Sequence, residues 1–164
     1  MVEPRGTQLV NPYATREGYE GYNCFGCAPG NQFGLRMQFY SDGRSVWSTW
    51  EPEGRFQGFH GILHGGIQAT LMDEVASWVV SVVLGTSGFT KTMQVDYLEN
   101  VLVDGPRLVI RGEVGVESKK EATLDVELYQ GESLKARAVC CYAIFSEAVA
   151  RKKLHYPGRD AFFP

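Results

Sequence analysis

The sequence predicts an α+β fold in which an antiparallel sheet wraps around one long central helix. The prediction comes from the order of the segments: a strand-like hairpin, one segment that is apolar on nearly every side, and then four strand-like stretches. A helix that is hydrophobic all round is a buried one, and a sheet can cover it to make a two-layer core. The 164 residues, 44% hydrophobic and 21% charged, fit one compact domain.

Each element has its own signal in the chain. Apolar and polar residues alternate at the start of 35–40, and Ser41-Asp42-Gly43-Arg44 predicts a turn into a second strand at 45–50. The buried helix is predicted at 67–84, and Gly85 begins the stretch that ends it. The other strands are predicted at 90–97, 107–116, 122–129 and 134–145.

The two ends of the chain lack this periodicity. We expect an N-terminal arm at residues 1–23, the folded domain at 24–146 and a C-terminal tail at 147–164. The tail is polar and basic, and Phe162 and Phe163 near its end are expected to be exposed.

Composition argues against several classes of function. A formal net charge of −3 gives no overall positive field for nucleic acid or anionic lipid. The longest apolar stretch is shorter than the ~20 residues that a membrane span needs. The N-terminus has neither the basic nor the apolar region of a secretory signal, so we expect a cytoplasmic protein.

Four cysteines occur, at positions 24, 27, 140 and 141. The Cys24-Phe-Gly-Cys27 spacing suggests zinc or redox chemistry, but a structural zinc site would need a second ligand pair at similar spacing. The other two cysteines are adjacent and lie in a predicted strand. A packed loop is therefore the favoured interpretation, and no metal or resident cofactor is expected.

His64-Gly65-Gly66, directly before the predicted helix, is the first candidate for chemistry. Free backbone N–H groups at the positive end of a helix dipole stabilise an anion, and glycine lets a substrate approach the backbone closely. Asp73 and Glu74 are the second candidates, because a carboxylate inside an apolar helix is costly unless it is paired or functional.

These two groups are too far apart to serve one reacting carbonyl within one chain. Asp73 follows His64 by nine residues, which is roughly 13 Å along a helix. If two copies pack with their helices antiparallel about a two-fold axis, Asp73 of one copy can face the Gly65 and Gly66 amides of the other. The spacing therefore predicts a homodimer with two shared sites.

The stretch from Leu63 to Glu74, LHGGIQATLMDE, resembles the signature of hotdog-fold thioesterases of the PaaI-like group, and the stretch CFGCAPGNQFGLRMQF at 24–39 resembles a segment of one branch of that family. The resemblance spans about residues 24–145. It implies a hotdog fold and hydrolysis of an acyl-CoA thioester, with coenzyme A as part of the substrate. Asp73 would act as general base or as nucleophile, and both roles stay open.

The resemblance also implies roles for neighbouring residues. Gly65, with Gly66, would bind the oxyanion, His64 would orient the thioester, and Thr90 would position the attacking water. Some relatives carry an asparagine six residues before the histidine of the motif, where this chain has Gly58; His60 or Gln57 are the candidate substitutes.

Coenzyme A phosphates need basic groups outside the pocket. The candidates are Lys119, Lys120, Arg137 and the basic run at 151–153, while Glu74 is a reserve candidate for the site. The acyl group, and the choice between a dimer and a dimer of dimers, stay open.

Other interpretations of the same residues are possible. Each of the motif residues could serve packing alone, with Asp73 paired to a lysine. The fold also hosts hydratases and dehydratases, but their motif, an aspartate followed five residues later by histidine, is not found here. A non-catalytic acyl-CoA-binding module is the alternative from a different class.

Overall fold

A computed structural model, which describes residues 2–164, confirms the α+β architecture. One helix packs against a single seven-stranded sheet in which all paired strands are antiparallel. The strands are β1 (Thr7–Gln8), β2 (Gln38–Ser41), β3 (Ser45–Trp50), β4 (Gly88–Tyr97), β5 (Leu108–Glu117), β6 (Glu121–Gln130) and β7 (Ser133–Ile144). They lie side by side in the order β1-β2-β3-β5-β6-β7-β4.

The central helix α1 spans Gly65–Val82 and contacts most of the sheet. Gly112 of β5 shows how closely helix and sheet approach, because a Cβ atom there would lie 2.8 Å from Val75 Cγ1 and 3.0 Å from Val79 Cγ2. The helix begins two residues before its predicted start, so Gly65 and Gly66 are its first two residues. Within residues 2–164 we find no helix with the length and apolar character to cross a membrane.

Strand β4 forms one edge of the sheet and pairs only with β7. The register shifts between Thr90 and Thr92, which leaves Lys91 as an extra residue in β4. Thr90 stands directly opposite Tyr142 on β7 at this irregularity. Bulges of this kind commonly redirect a side chain, and both side chains reach toward α1.

Both ends of the chain pack on the domain more closely than predicted. In the arm, β1 pairs with β2 and Leu9 joins the core. The tail contains a short helix α2 (Glu147–Lys153) and a 3-10 turn (Arg159–Phe162). The expectation that Phe162 is exposed was wrong: only 1% of it is accessible, and its ring packs edge-on against Trp78 at 5.3 Å.

Candidate active site

His64 is the N-cap of α1, and its ring is fixed against the first turn. The Gly66 N–H donates to His64 Nδ1 at 2.8 Å. Because Nδ1 accepts this bond, the neutral ring carries its proton on Nε2, which is left to donate outward. A Cβ atom at residue 66 would lie only 3.1 Å from Nδ1, so glycine allows this close approach.

Gly65 presents a backbone N–H at the start of α1. Among the described residues, no acceptor takes this N–H, whereas the next three amides of the helix bond to His64. On its other side, Tyr97 Oη donates to the Gly65 carbonyl at 2.9 Å. The helix start thus has one free donor at the positive end of the helix dipole.

Asp73, at the middle of α1, is held by two hydroxyl groups. Thr90 Oγ1 and Tyr142 Oη each donate to Asp73 Oδ1 at 2.8 Å, and Tyr142 Oη also lies 3.0 Å from the Asp73 carbonyl. The other oxygen, Oδ2, has no hydrogen-bond partner among residues 2–164. One oxygen is therefore fixed, and the second is left for a ligand.

Tyr142 is a buried donor that keeps its proton. Burial, and next the carboxylate of Asp73, raise the pKa of the Tyr142 hydroxyl well above its usual value. A tyrosine in this state can only donate to the carboxylate. The pair of Thr90 and Tyr142 therefore orients Asp73 without competing for its charge.

The two halves of the site lie far apart in one chain. Thr90, beside Asp73, and Tyr97, beside Gly65, are at opposite ends of β4. Seven residues of strand span roughly 23 Å. The structure thus brings Thr90 to Asp73, and His64 to Gly65 and Gly66, but it does not bring the two groups together in a single copy.

A cavity of about 520 Å³ lies at the His64 end of α1. Its wall includes Gln68, of which only 5% is accessible, and whose Nε2 donates to the Leu63 carbonyl at 3.1 Å. Gln68 Oε1 is buried without a hydrogen-bond partner in the described chain. Polar groups of this kind are rarely left unsatisfied. The remaining lining includes Gly58, Phe59, His64, Gly65, Tyr97 and Asn100.

The two candidates for the missing asparagine lie on the loop before α1. Gln57 Oε1 accepts the Gly61 N–H at 3.0 Å, which turns its side chain into its own loop. His60 is exposed. Asn100, which the sequence did not single out, instead supplies a carboxamide to the cavity that contains His64.

The basic candidates lie in three different places. Lys119 and Lys120 are exposed in the turn between β5 and β6, and the Lys120 carbonyl accepts from Ile144, the partner of Gly88. This turn is at the Thr90 end of β4.

Two of the other basic candidates are already paired within the chain. Arg137 points away from α1 and pairs with Asp96 at 2.9 Å. In the tail, Arg151 pairs with Glu147.

Glu74 faces a different cavity from the one beside His64. Its carboxylate lies 3.6 and 3.8 Å from the sulfur of Cys24, in a cavity of about 310 Å³. Burial, followed by the neighbouring Cys24, raises the pKa of Glu74 to about 7. The nearest partner of this reserve candidate is therefore the Cys24 thiol and not a cation.

Four residues of the candidate active site were not identified from the sequence. Tyr142 and Tyr97 lie in strands, where an aromatic residue normally indicates packing. Asn100 lies in a loop with no distinguishing pattern. Gln68 could have been identified from the sequence, because it is a polar residue inside an apolar helix.

Known proteins show the same architecture. The family model of the thioesterase superfamily matches residues 60–136, which include His64, all of α1 and strands β4 to β6. A hypothetical thioesterase from Streptococcus pneumoniae TIGR4, crystallised with coenzyme A, is 25% identical, with 63% of this chain and 83% of that chain covered and a TM-score of 0.60.

Two further solved structures share the fold. A Streptococcus mutans UA159 protein bound to acetyl CoA is 22% identical, covering 68% of this chain and 90% of its own, with a TM-score of 0.63. A Haemophilus influenzae thioesterase is 16% identical, covering 68% and 80%, with a TM-score of 0.62. No curated protein sequence matches the chain. The chain is therefore similar to the thioesterase superfamily over residues 60–136, and it shares the fold of these solved structures.

Proposed function

We propose that this protein hydrolyses an acyl-CoA thioester to a free acid and coenzyme A, with Asp73 as the catalytic carboxylate. The observation that supports this most strongly is the state of Asp73, with Oδ1 held by Thr90 and Tyr142 and Oδ2 unpartnered. Asp73 is half-buried, which leaves Oδ2 accessible to a water molecule or a ligand. The S. pneumoniae relative that binds coenzyme A supports this ligand class.

Two roles of Asp73 fit this arrangement. As a general base, Oδ2 takes a proton from water while the water oxygen attacks the thioester carbonyl; the C–S bond then breaks, and the coenzyme A thiolate leaves and takes up the proton. As a nucleophile, Oδ2 attacks the carbonyl itself, the C–S bond breaks and the coenzyme A thiolate leaves, and water then hydrolyses the anhydride formed with Asp73. In both, Thr90 and Tyr142 are positioning residues that hold the carboxylate in one rotamer.

The developing oxyanion would be bound at the start of α1. The Gly65 N–H is a preorganised donor, and such donors are typically worth ~10²–10³ in rate. The Gly66 N–H donates a hydrogen bond to His64 Nδ1 and is therefore not free to bind the substrate. His64 Nε2 would then orient or polarise the thioester from the same side.

The two halves of the site meet if two copies pair through β4. This strand has a free edge and exposed apolar side chains at both ends, Phe89 and Tyr97. A two-fold axis near the middle of β4 would place Thr90 of one copy beside Tyr97 of the other, and with them Asp73 and Gly65. We therefore propose a homodimer with two shared sites, able to pair again into a dimer of dimers, acting in the cytoplasm.

Coenzyme A would lie across this interface. Lys119 and Lys120 are at the Thr90 end of the sheet, where they would bind the phosphates.

The pantetheine arm would bind in the cavity beside His64. There Gln68 Oε1 and the Asn100 side chain would form hydrogen bonds with its amide groups. His60 and Gln57 are the second choice for this role, and Arg137 would reach coenzyme A only from another copy.

The test is a thiol-release assay on the purified protein with acetyl-, medium-chain, long-chain and aryl-CoA esters. Asp73→Asn should abolish hydrolysis and leave binding of the CoA ester largely intact. The variant should fold, because asparagine keeps an Oδ1 to accept from Thr90 and Tyr142. A wild-type protein that binds CoA esters but hydrolyses none would instead be the non-catalytic binding module, and one that hydrates enoyl-CoA would be a lyase.

A further inference from the structure

A second cluster of reactive side chains lies outside the proposed active site. Cys24 and Cys27 come from the loop before β2, and Glu74 comes from α1, 50 residues later in the chain. The two sulfurs are 3.1 Å apart, and Glu74 Oε1 and Oε2 lie 3.6 and 3.8 Å from Cys24 Sγ. The two sulfurs and a carboxylate oxygen all fall within 4.8 Å of one another.

The loop is built to hold the sulfur atoms in place. The Cys27 N–H donates back to Cys24 Sγ at 3.4 Å, which curls the loop around the first sulfur. Gly26 allows the loop to close over the helix, because a Cβ atom there would lie 2.4 Å from Glu74 Oε2. Tyr22 Oη approaches Cys27 Sγ to 3.0 Å from the other side.

No cationic side chain of the described residues pairs with this cluster. Within residues 2–164, no lysine, arginine or histidine forms an ion pair with Glu74. Carboxylates that leave water normally pair with a cation or a metal. The adjoining cavity of about 310 Å³ is lined in part by aromatic side chains, including Tyr13, Tyr19 and Trp78.

We propose that Cys24, Cys27 and Glu74 bind one zinc ion. Two thiolates and a carboxylate are a ligand set that zinc accepts, and thiolates select it over magnesium or calcium. Tetrahedral zinc with Zn–S bonds of about 2.3 Å places its donor atoms roughly 3.5–3.8 Å apart. The Cys24 to Glu74 distances already match, and the two sulfurs need to separate by about 0.6 Å, a change that side-chain rotation can supply.

The fourth position would be filled by the Tyr22 hydroxyl or by water from the cavity. The ion would join the N-terminal loop to the central helix, so its structural effect would be to fix residues 24–34 on α1. This site is separate from Asp73 and does not depend on the proposed hydrolysis.

The experiment is a titration of the reduced, chelator-treated full-length protein with Zn²⁺ alone, followed by calorimetry. We expect one equivalent to bind and the melting temperature to rise, since a ligand that binds the folded state stabilises it. Cys27→Ser should weaken binding by more than about tenfold, because a thiolate ligand is lost. Cys141→Ser, which removes a thiol on β7, is the matched control and should bind as the wild type does.

A second measurement covers the case in which a cysteine variant does not fold. Wild-type protein loaded with Co²⁺ should show the thiolate-to-cobalt charge-transfer absorption of a tetrahedral site, and Glu74→Gln should alter that spectrum. The proposal would be overturned if the wild-type protein did not bind zinc, or if Cys27→Ser and Cys141→Ser lost zinc affinity equally. So would a reduced protein that ignores zinc but forms a Cys24–Cys27 disulfide with glutathione disulfide, which would make the pair a redox pair.

Discussion

Asp73 and Glu74 are successive residues of the same helix, yet they meet opposite surroundings. Asp73 turns toward β4 and β7, where two hydroxyl groups hold one oxygen and leave the other free. Glu74 turns toward the N-terminal loop, where it meets two thiols and no cation among the described residues. The rotation of about 100° between neighbours in a helix separates the two environments.

This difference shows that the helix supplies carboxylates while the elements around it decide their chemistry. Hydroxyl donors stabilise a carboxylate and fix its direction, which suits proton transfer or attack. Burial beside sulfur atoms raises the pKa of Glu74 to about 7 and favours either its neutral form or a bound metal.

The largest difference is expected between Asp73→Asn and Glu74→Gln. Loss of a general base or nucleophile should lower kcat by about 10³-fold or more. Glu74→Gln should change kcat by less than about tenfold, because Glu74 lies outside the proposed reaction site. Thiol release under saturating CoA ester measures both. Equal losses in the two variants would contradict the separation of the two acids.

The next effect concerns the donor at the start of α1. Gly65→Pro removes the Gly65 N–H, and the helix should persist because proline is favoured at its first position. His64, with φ −59° and ψ 133°, already has the conformation of a residue before proline. We expect kcat to fall by ~10²–10³.

Gly65→Ala is the control for that substitution. It keeps the N–H, and its Cβ atom would meet Tyr97 Cζ at 3.4 Å, an ordinary contact. Activity in Gly65→Ala should therefore stay well above that of Gly65→Pro. Matching activities in the two variants would show that the Gly65 N–H is not the oxyanion donor.

A smaller effect is expected from the groups that hold Asp73. Tyr142→Phe and Thr90→Val each remove one donor to Oδ1, and misplacement of a reacting group by about 1 Å can reduce the rate ~10²-fold. The loss should appear in kcat more than in KM, and Thr90→Ser should restore it because serine keeps the hydroxyl. An increase in KM with kcat unchanged would assign these residues to substrate binding instead.

The smallest effect is on stability at the Glu74 face. Gly26→Ala forces the Glu74 carboxylate to move, since the new Cβ atom would lie 2.4 Å from Oε2, and we expect it to lower the free energy of unfolding by about 1–2 kcal/mol. Gly30→Ala, in the same loop with nothing within 4 Å, should change it by less than about 0.5 kcal/mol. Urea unfolding of both variants measures the difference.

Local pattern was enough to predict the central helix and six of the seven strands, but not β1 in the arm or α2 in the tail. Alternation located both strands of the hairpin and the four later strands to within a few residues, and the apolar run located α1. The packing of the tail was missed, because Phe162 becomes buried against Trp78 and Tyr13, which are both distant in the chain. Such a contact leaves no periodicity near Phe162 itself.

The candidate site was predictable to the extent that its residues are unusual where they stand. Asp73 is a charge in an apolar helix, and the glycines precede a helix start, so both were found. Tyr142 looks like a core residue of an alternating strand, and its role depends on the strand register that places it opposite Thr90. The cluster at Glu74 was missed because two thiols and one carboxylate converge from positions 50 residues apart.

The most direct test of the shared site is complementation between two inactive copies. Asp73→Asn and Gly65→Pro chains, carrying different affinity tags, are co-expressed and the mixed dimers are purified. If each site takes Asp73 from one copy and Gly65 from the other, every mixed dimer keeps one intact site and should show about half the wild-type activity. Mixed dimers no more active than either parent variant would contradict a site shared between two copies.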